Sequence, residues 1–185
     1  MAGESSASAR SDAPQAWEAM DPLGDFAGVY ERHYQGVYRA VRAIVLDPIW
    51  AEDVTQDAFV KAYRNRDRYK PIGSLAGWLH RIAVREALSA LRWRTLQTWL
   101  LGAVGQASTS EDPWSGHLVA EALAALKPKS RAAVVLHYYH GYRYREIASI
   151  LGIPEGTVAT RIANGLRQMR KVLESIPDVA LAARR

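Results

Sequence analysis

Val29, Tyr30, His33, Tyr34, Val37, Val41, Ile44 and Val45 recur at steps of three and four residues. That spacing gathers side chains on one face of an α-helix. The period returns along the chain, whereas strand-like alternation of useful length does not, so an all-α fold is expected. Asp47-Pro48 breaks the first helix, which starts at Phe26. A second is expected from near Ala51 to about Arg64, with Val54, Ala58, Phe59 and Ala62 facing inward. Pro71 and Gly73 mark Tyr69-Lys70-Pro71-Ile72-Gly73-Ser74 as a loop. Ser74 then reads as the N-cap of a third helix through Arg92, with Leu75, Trp78, Leu79, Ile82, Ala83, Leu88 and Leu91 as its apolar set. Further helices are expected near 117–126, 129–140, 143–151 and 155–174, separated by Lys127-Pro128, Gly141 and Gly152.

The segments between these patterns divide the chain. Residues 1–24 are rich in Ala, Ser, Gly, Asp and Pro with no sustained period, and are expected to be disordered. Residues 95–117 hold three glycines, several Ser/Thr and Glu111-Asp112-Pro113, and read as a linker with a helical start at Leu96–Val104. Fully extended, about 22 residues span up to about 70 Å, so the blocks on either side need not touch. What remains is two small helical domains, 25–94 and 118–174, followed by a tail, 175–185. A chain of 185 residues suits that division. Helices with short-range contacts are the least demanding way to fold two thin cores.

Charge follows the same division. The chain carries net +5 overall, but residues 1–25 are net −4 and residues 95–117 net −2, while 26–94 and 118–174 are each net +5. Two basic blocks on one chain suggest a polyanion touched at two places, with nucleic acid as the first candidate. Of the 24 basic residues 19 are Arg, which suits bidentate phosphate or guanine contacts. There is no cysteine, which excludes disulfide scaffolds, Cys-based zinc sites and thiol catalysis. MAGESSASARSDAPQ lacks an apolar h-region, so no secretory signal is expected. Nor does any run reach the roughly 18 apolar residues of a membrane span. A soluble, cytoplasmic protein without membrane insertion is expected.

The sharpest local pattern runs from Tyr144 to Val158. Ala148 is small where two helices would cross, and Gly152 tolerates the positive φ of a tight turn. Ile147, Leu151, Ile153 and Val158 take the inward positions of a helix-turn-helix. In such a unit the second helix enters the major groove of DNA while the first crosses the backbone. A plain helical hairpin would not need Glu155, Ala159, Thr160, Ala163, Asn164 and Arg167 to form so small and lightly charged an exposed face.

The first block holds an anomaly. Glu52, Asp53 and Asp57 cluster beside Gln56 within a basic domain. Acids at a helix start complement its dipole, worth about 0.3–1 kcal/mol each. An acidic patch cannot face phosphates, however, so this surface reads as one for a protein partner. Basic and aromatic residues interleave around the following loop: Arg64, Arg66, Arg68, Tyr69, Lys70, then Trp78, His80, Arg81, Arg85, Arg92, Trp93 and Arg94. Such interleaving suits single-stranded DNA. Trp78 fits the inward helical period and is read as core.

These pieces in this order resemble a bacterial RNA polymerase sigma factor of the extracytoplasmic-function (ECF) group, over about residues 26–94 and 118–174. Three motifs carry the resemblance: Ala51 to Tyr63, Trp78-Leu79-His80-Arg81-Ile82-Ala83, and Tyr144 to Arg161. It implies a transcription initiation factor that binds core RNA polymerase through Glu52, Asp53, Gln56 and Asp57. By the same resemblance a region 2-like domain captures the melted −10 strand with Tyr69, Lys70, Pro71, Ile72, Gly73, Ser74, Arg81, Arg85 and Arg92. A region 4-like domain reads −35 duplex DNA with Arg145, Glu155, Thr157, Ala159, Thr160, Arg161, Asn164 and Arg167. An anti-sigma protein or other regulator is an implied partner, and no catalysis, metal or cofactor is implied. The loop departs from the family's common aromatic-Arg-Gly-Asp-Ser, and a frequent Asn is Arg85 here. Ala159 and Asn164 replace usual basic residues, which implies an atypical −35 sequence or weaker dependence on it.

The residues also admit two other readings. A stand-alone helix-turn-helix regulator would not need the N-terminal helical block and its acidic helix. An enzyme or metalloprotein finds its best support in His137 and His140, at i, i+3. No third ligand is near in sequence, and two partly exposed histidines at a helix end are the plainer reading.

Overall fold

The computed structural model describes residues 23–70, 73–101 and 117–175. Among the described residues there are seven α-helices and one 3₁₀ turn: α1 (Phe26–Val45), α2 (Pro48–Arg64), the turn Arg66–Arg68, α3 (Leu75–Leu101), α4 (His117–Ala124), α5 (Pro128–Tyr138), α6 (Tyr144–Leu151) and α7 (Glu155–Glu174). Of the N-terminal segment expected to be disordered, 1–24, residues 1–22 lie outside the described residues, as do most of the linker and the tail beyond Ser175, whereas Leu23 is ordered and buried in the core.

Local chemistry sets the helix ends. Asp25 caps α1, its Oδ1 accepting from the Gly28 N–H at 3.0 Å. Leu46 closes the helix in the left-handed conformation, and its N–H donates to the Arg42 carbonyl. Asp47 then caps α2 by accepting from the Trp50 N–H at 3.0 Å, with Pro48 in the first turn, where a missing N–H costs nothing. The second helix therefore starts three residues before the expected Ala51. Glu52, Asp53 and Asp57 lie beyond its first turn, so helix-end stabilisation does not account for them. Ser74 Oγ accepts from the Gly77 N–H at 3.0 Å and begins α3 as expected. That helix continues past Arg92 to Leu101, taking in the first part of the expected linker.

The first three helices pack around Val37, Val41, Ile44, Val54, Ala58, Phe59, Leu79, Ala83 and Val84, all buried. Edge-on aromatic contacts of Phe26 and Tyr30 with Phe59 extend this core between α1 and α2. Thr55 is fully buried, and its hydroxyl is satisfied by donating to the Ala51 carbonyl at 2.6 Å. Lys61 pairs with Glu86 to tie α2 to α3. Arg94 lies 3.8 Å from the Asp47 carboxylate and over the Trp50 ring, holding the far part of α3 against the start of α2.

In the C-terminal half α5 and α7 cross closely at Gly165, where an added Cβ would lie 2.9 Å from Val134 Cγ2. Gly152 ends α6 at φ 65°, and its N–H donates to the Ala148 carbonyl. Gly152→Ala is expected to cost about 1 kcal/mol, because that backbone region penalises a Cβ. The new methyl would also meet Arg85 Nη2 at 3.3 Å. A lowered midpoint in chemical unfolding checks this.

The two halves pack on one another, although sequence left them free to stay apart. Helix α1 lies against α5, and α3 against α6. Ala43 of α1 is buried among Leu123, Leu126, Val134 and Val135. Val37, Val41 and Ala83 share a continuous buried cluster with Ala132, Leu136, Ile147 and Val158.

Candidate polymerase and nucleic-acid interfaces

Helix α2 turns Ala51, Val54, Thr55, Ala58 and Phe59 into the core, which leaves Glu52, Asp53, Gln56 and Asp57 on its outer side. All four are exposed. At i, i+1, i+4 and i+5 they form one polar face of four acceptor-bearing side chains.

The candidate −10 residues surround the start of α3. Tyr69 is half-buried, its ring edge-on to Trp78 at 5.1 Å between centroids. Trp78 itself is half-buried against the core. Lys70, Gly73 and Ser74 are exposed, and Gly73 adopts φ 94°. Pro71 and Ile72 lie outside the described residues. Arg81, Arg85 and Arg92, at i, i+4 and i+11, share one side of α3. Arg85 and Arg92 are exposed and Arg81 is half-buried.

In the C-terminal half α6 and α7 meet at Gly152 as a helix-turn-helix, with Ile147, Ile150, Val158 and Ile162 buried between them and α5. That packing leaves Thr160, Ala163, Asn164 and Arg167 exposed along one side of α7. Glu155 and Arg145 are exposed as well, while Thr157, Ala159 and Arg161 are half-buried. Thr160 Oγ1 donates to the Gly156 carbonyl at 2.9 Å, which restricts its side-chain rotamer. The side chains at 159, 160 and 163 are small, and Arg167 is an exposed cation on the same helix.

Two of the candidate −10 arginines are engaged within the protein. Arg81 donates to Ser149 Oγ on α6, and the Arg85 guanidinium lies beside Gly152. Sequence reading missed this juxtaposition, because the partners stand 68 and 67 residues apart and neither carries a periodic signal. His140 is half-buried just past the end of α5, as expected, but it is not the cation expected there: its ring lies 4.5 Å from the His80 ring between the two halves. Burial first, then His80 and Arg39, depress the His140 pKa to about 4. His137 Nδ1 instead lies 2.8 Å from the Tyr142 carbonyl, to which it donates. Among the described residues no group of three or more His, Cys, Asp or Glu is placed to hold a metal.

Among known protein families, the model of sigma-70 region 2 matches residues 29–97 and that of sigma-70 region 4 matches residues 117–169. The ECF RNA polymerase sigma factor SigE of Mycolicibacterium smegmatis is 34% identical over 179 residues, spanning 88% of this chain and 69% of the relative. The ECF sigma factor SigW of Bacillus subtilis is 30% identical over 174 residues, spanning 84% of this chain and 91% of its own length. The fold is similar to the sigma factor RpoE of Bartonella quintana, solved with the anti-sigma factor NepR: TM-score 0.74, 23% identity, 82% of this chain and 98% of that one. It is also similar to CnrH, solved with the cytosolic domain of CnrY: TM-score 0.60, 24% identity, 81% and 88% covered. The chain thus belongs to the ECF RNA polymerase sigma factors and is a transcription initiation factor that directs the polymerase to promoters, not a helix-turn-helix regulator acting alone.

Proposed function

We propose that three surfaces divide the work of initiation. The outer side of α2, with Glu52, Asp53, Gln56 and Asp57, docks on core RNA polymerase. The exposed side of α7, with Thr160, Asn164 and Arg167, reads −35 duplex DNA, supported by Arg145, Glu155, Thr157, Ala159 and Arg161. The Tyr69–Ser74 loop with Arg81, Arg85 and Arg92 holds the melted −10 strand. Residues 25–94 and 118–174 are the corresponding domains. The observation that carries this reading is the exposed acidic face of α2 within a half of net charge +5. It repels phosphate and attracts a basic protein, so DNA and polymerase are met on different sides.

Docking tethers two weak DNA readers to one machine, which gives avidity that neither has alone. Strand capture then follows from binding: unstacking a base costs a few kcal/mol, and contacts to the displaced base and its phosphates offset it. The protein performs no bond chemistry of its own and is not an enzyme. It works in the cytoplasm, where its template lies, and no described helix is long and apolar enough to cross a membrane. An anti-sigma protein is a further partner, a reading supported by the anti-sigma complexes in which the similar folds were solved.

Run-off transcription with purified core polymerase tests the reading. Initiation at defined start sites that requires both components is expected. Tight binding to an operator without polymerase, and no stimulation, would overturn it. Arg167→Ala is expected to weaken −35 duplex binding and to lower the salt slope by about one ion if the guanidinium meets a phosphate. Fluorescence anisotropy across a salt series measures this, and an unchanged slope removes Arg167 from the interface.

A further inference from the structure

The contact between the two halves is built around titratable rings. His80 of α3 is 5% exposed, and its Nδ1 lies 2.8 Å from the Ala76 carbonyl and 3.0 Å from the Tyr142 hydroxyl. A carbonyl oxygen only accepts, so Nδ1 carries the proton and the uncharged ring turns its bare Nε2 toward α1. The Gly36 carbonyl approaches that side without completing a well-formed bond to Nε2. His140, just past α5, sets its ring against His80 at an interplanar angle of 59°, and its own Nε2 is buried with no hydrogen-bond partner. Tyr142 reaches across from the C-terminal half to His80 and to Ser74 at the start of α3.

Titratable and charged groups of α1, α3, the α5 end and α6 surround these rings. From α1 come His33 and Arg39, with Arg39 Nη1 3.4 Å from the Tyr139 hydroxyl. Helix α3 adds Arg81, whose Nε is buried without a partner. The α5 end adds His137 and Tyr139. Helix α6 contributes the Glu146 carboxylate, which faces Tyr142 and accepts from the Arg143 N–H. A proton added to His140 therefore places a cation beside Arg39 on a ring whose Nε2 has no hydrogen-bond partner, and at His80 burial outweighs the Ala76 and Gly36 carbonyls, which favour the charged form.

We propose that the His80–His140–Tyr142 seam is a proton-operated latch, which holds the two halves closed while both imidazoles are neutral and releases them when one gains a proton. Closing buries Ala43 and engages Arg81 with Ser149. Opening frees both. The latch stands on the packing of the halves alone, so it can be tested on the free protein without DNA or polymerase.

Its sign follows from linkage. Burial lowers both histidine pKa values in the closed form, His140 to about 4 from an ordinary 6.5. Closure is then fully favoured above about pH 6.5 and weakens as pH falls toward 4. From His140 alone, the ratio of closed to open protein drops about tenfold between pH 7.5 and 5.5, with His80 adding in the same direction.

The absence of cysteine makes thiol trapping a clean readout. Ala43→Cys places one thiol in the cluster built with Leu123, Leu126, Val134 and Val135 of the C-terminal half. Ala58→Cys places one inside the N-terminal core. Gln35→Cys provides an exposed reference. Relative to the reference, protection of the thiol at 43 should fall about tenfold or more from pH 7.5 to 5.5, while protection at 58 holds. In a His140→Gln background most of that pH dependence should vanish, whether the variant rests closed or open. Constant protection at 43, equal losses at 43 and 58, or an undiminished pH response in His140→Gln would each overturn the latch.

Discussion

Replacing Asp53 and Asp57 together by lysine is expected to weaken binding to core RNA polymerase by more than about a hundredfold while leaving helical content unchanged. Both carboxylates are exposed on the outer side of α2. Exposed substitutions of this kind move stability by about 0.5 kcal/mol or less. Across an interface, losing a charge pair costs about 2–5 kcal/mol, and reversal adds repulsion to that loss. The expected contrast is thus between an intact monomer and a lost complex. Circular dichroism and titration against labelled polymerase measure the two sides separately. Unchanged holoenzyme assembly would reassign the face.

Ile147→Ala is expected to be the most damaging single substitution in the helix-turn-helix. The side chain is fully buried, and its cluster joins α5, α6 and α7 to the core of the N-terminal half. Truncating such a residue removes its transfer free energy and leaves a cavity, for a cost of about 2–5 kcal/mol. Domains of this size hold only a few kcal/mol in reserve. The denaturant midpoint should fall with little change in slope, and −35 duplex binding should fall with it. A loss under about 1 kcal/mol would mean that α6 is not held by this contact.

What the sequence disclosed, and what it concealed, follows from which signals are local. Helix α1, the cap at Ser74 and the turn at Gly152 were legible because period, cap chemistry and positive φ are written within a few residues. The start of α2 was placed late, since Ile49 is 72% exposed and gives no inward signal ahead of Ala51. The end of α3 was placed early: the helical stretch expected from Leu96 is the continuation of α3 and not a separate start, and the exposed Trp93, Leu96 and Leu100 do not tie it to the core. The acidic face of α2 could be read from spacing because its four residues lie within six positions. The packing of the halves could not, because Ala43 meets Leu123 and His80 meets His140 only through tertiary folding. Arg81 and Arg85 were chosen for charge and helical side, and only the fold reveals that the closed arrangement sets them against the helix-turn-helix.

The division of labour among α2, α3 and α7 is tested most directly by placing a photocrosslinking residue at Gln56, Arg85 or Thr160 in the full-length protein and activating it in an open promoter complex. The account predicts that position 56 captures a polymerase polypeptide, 85 the −10 region and 160 the −35 duplex. Capture of DNA at position 56, or of polymerase alone at positions 85 and 160, would contradict it.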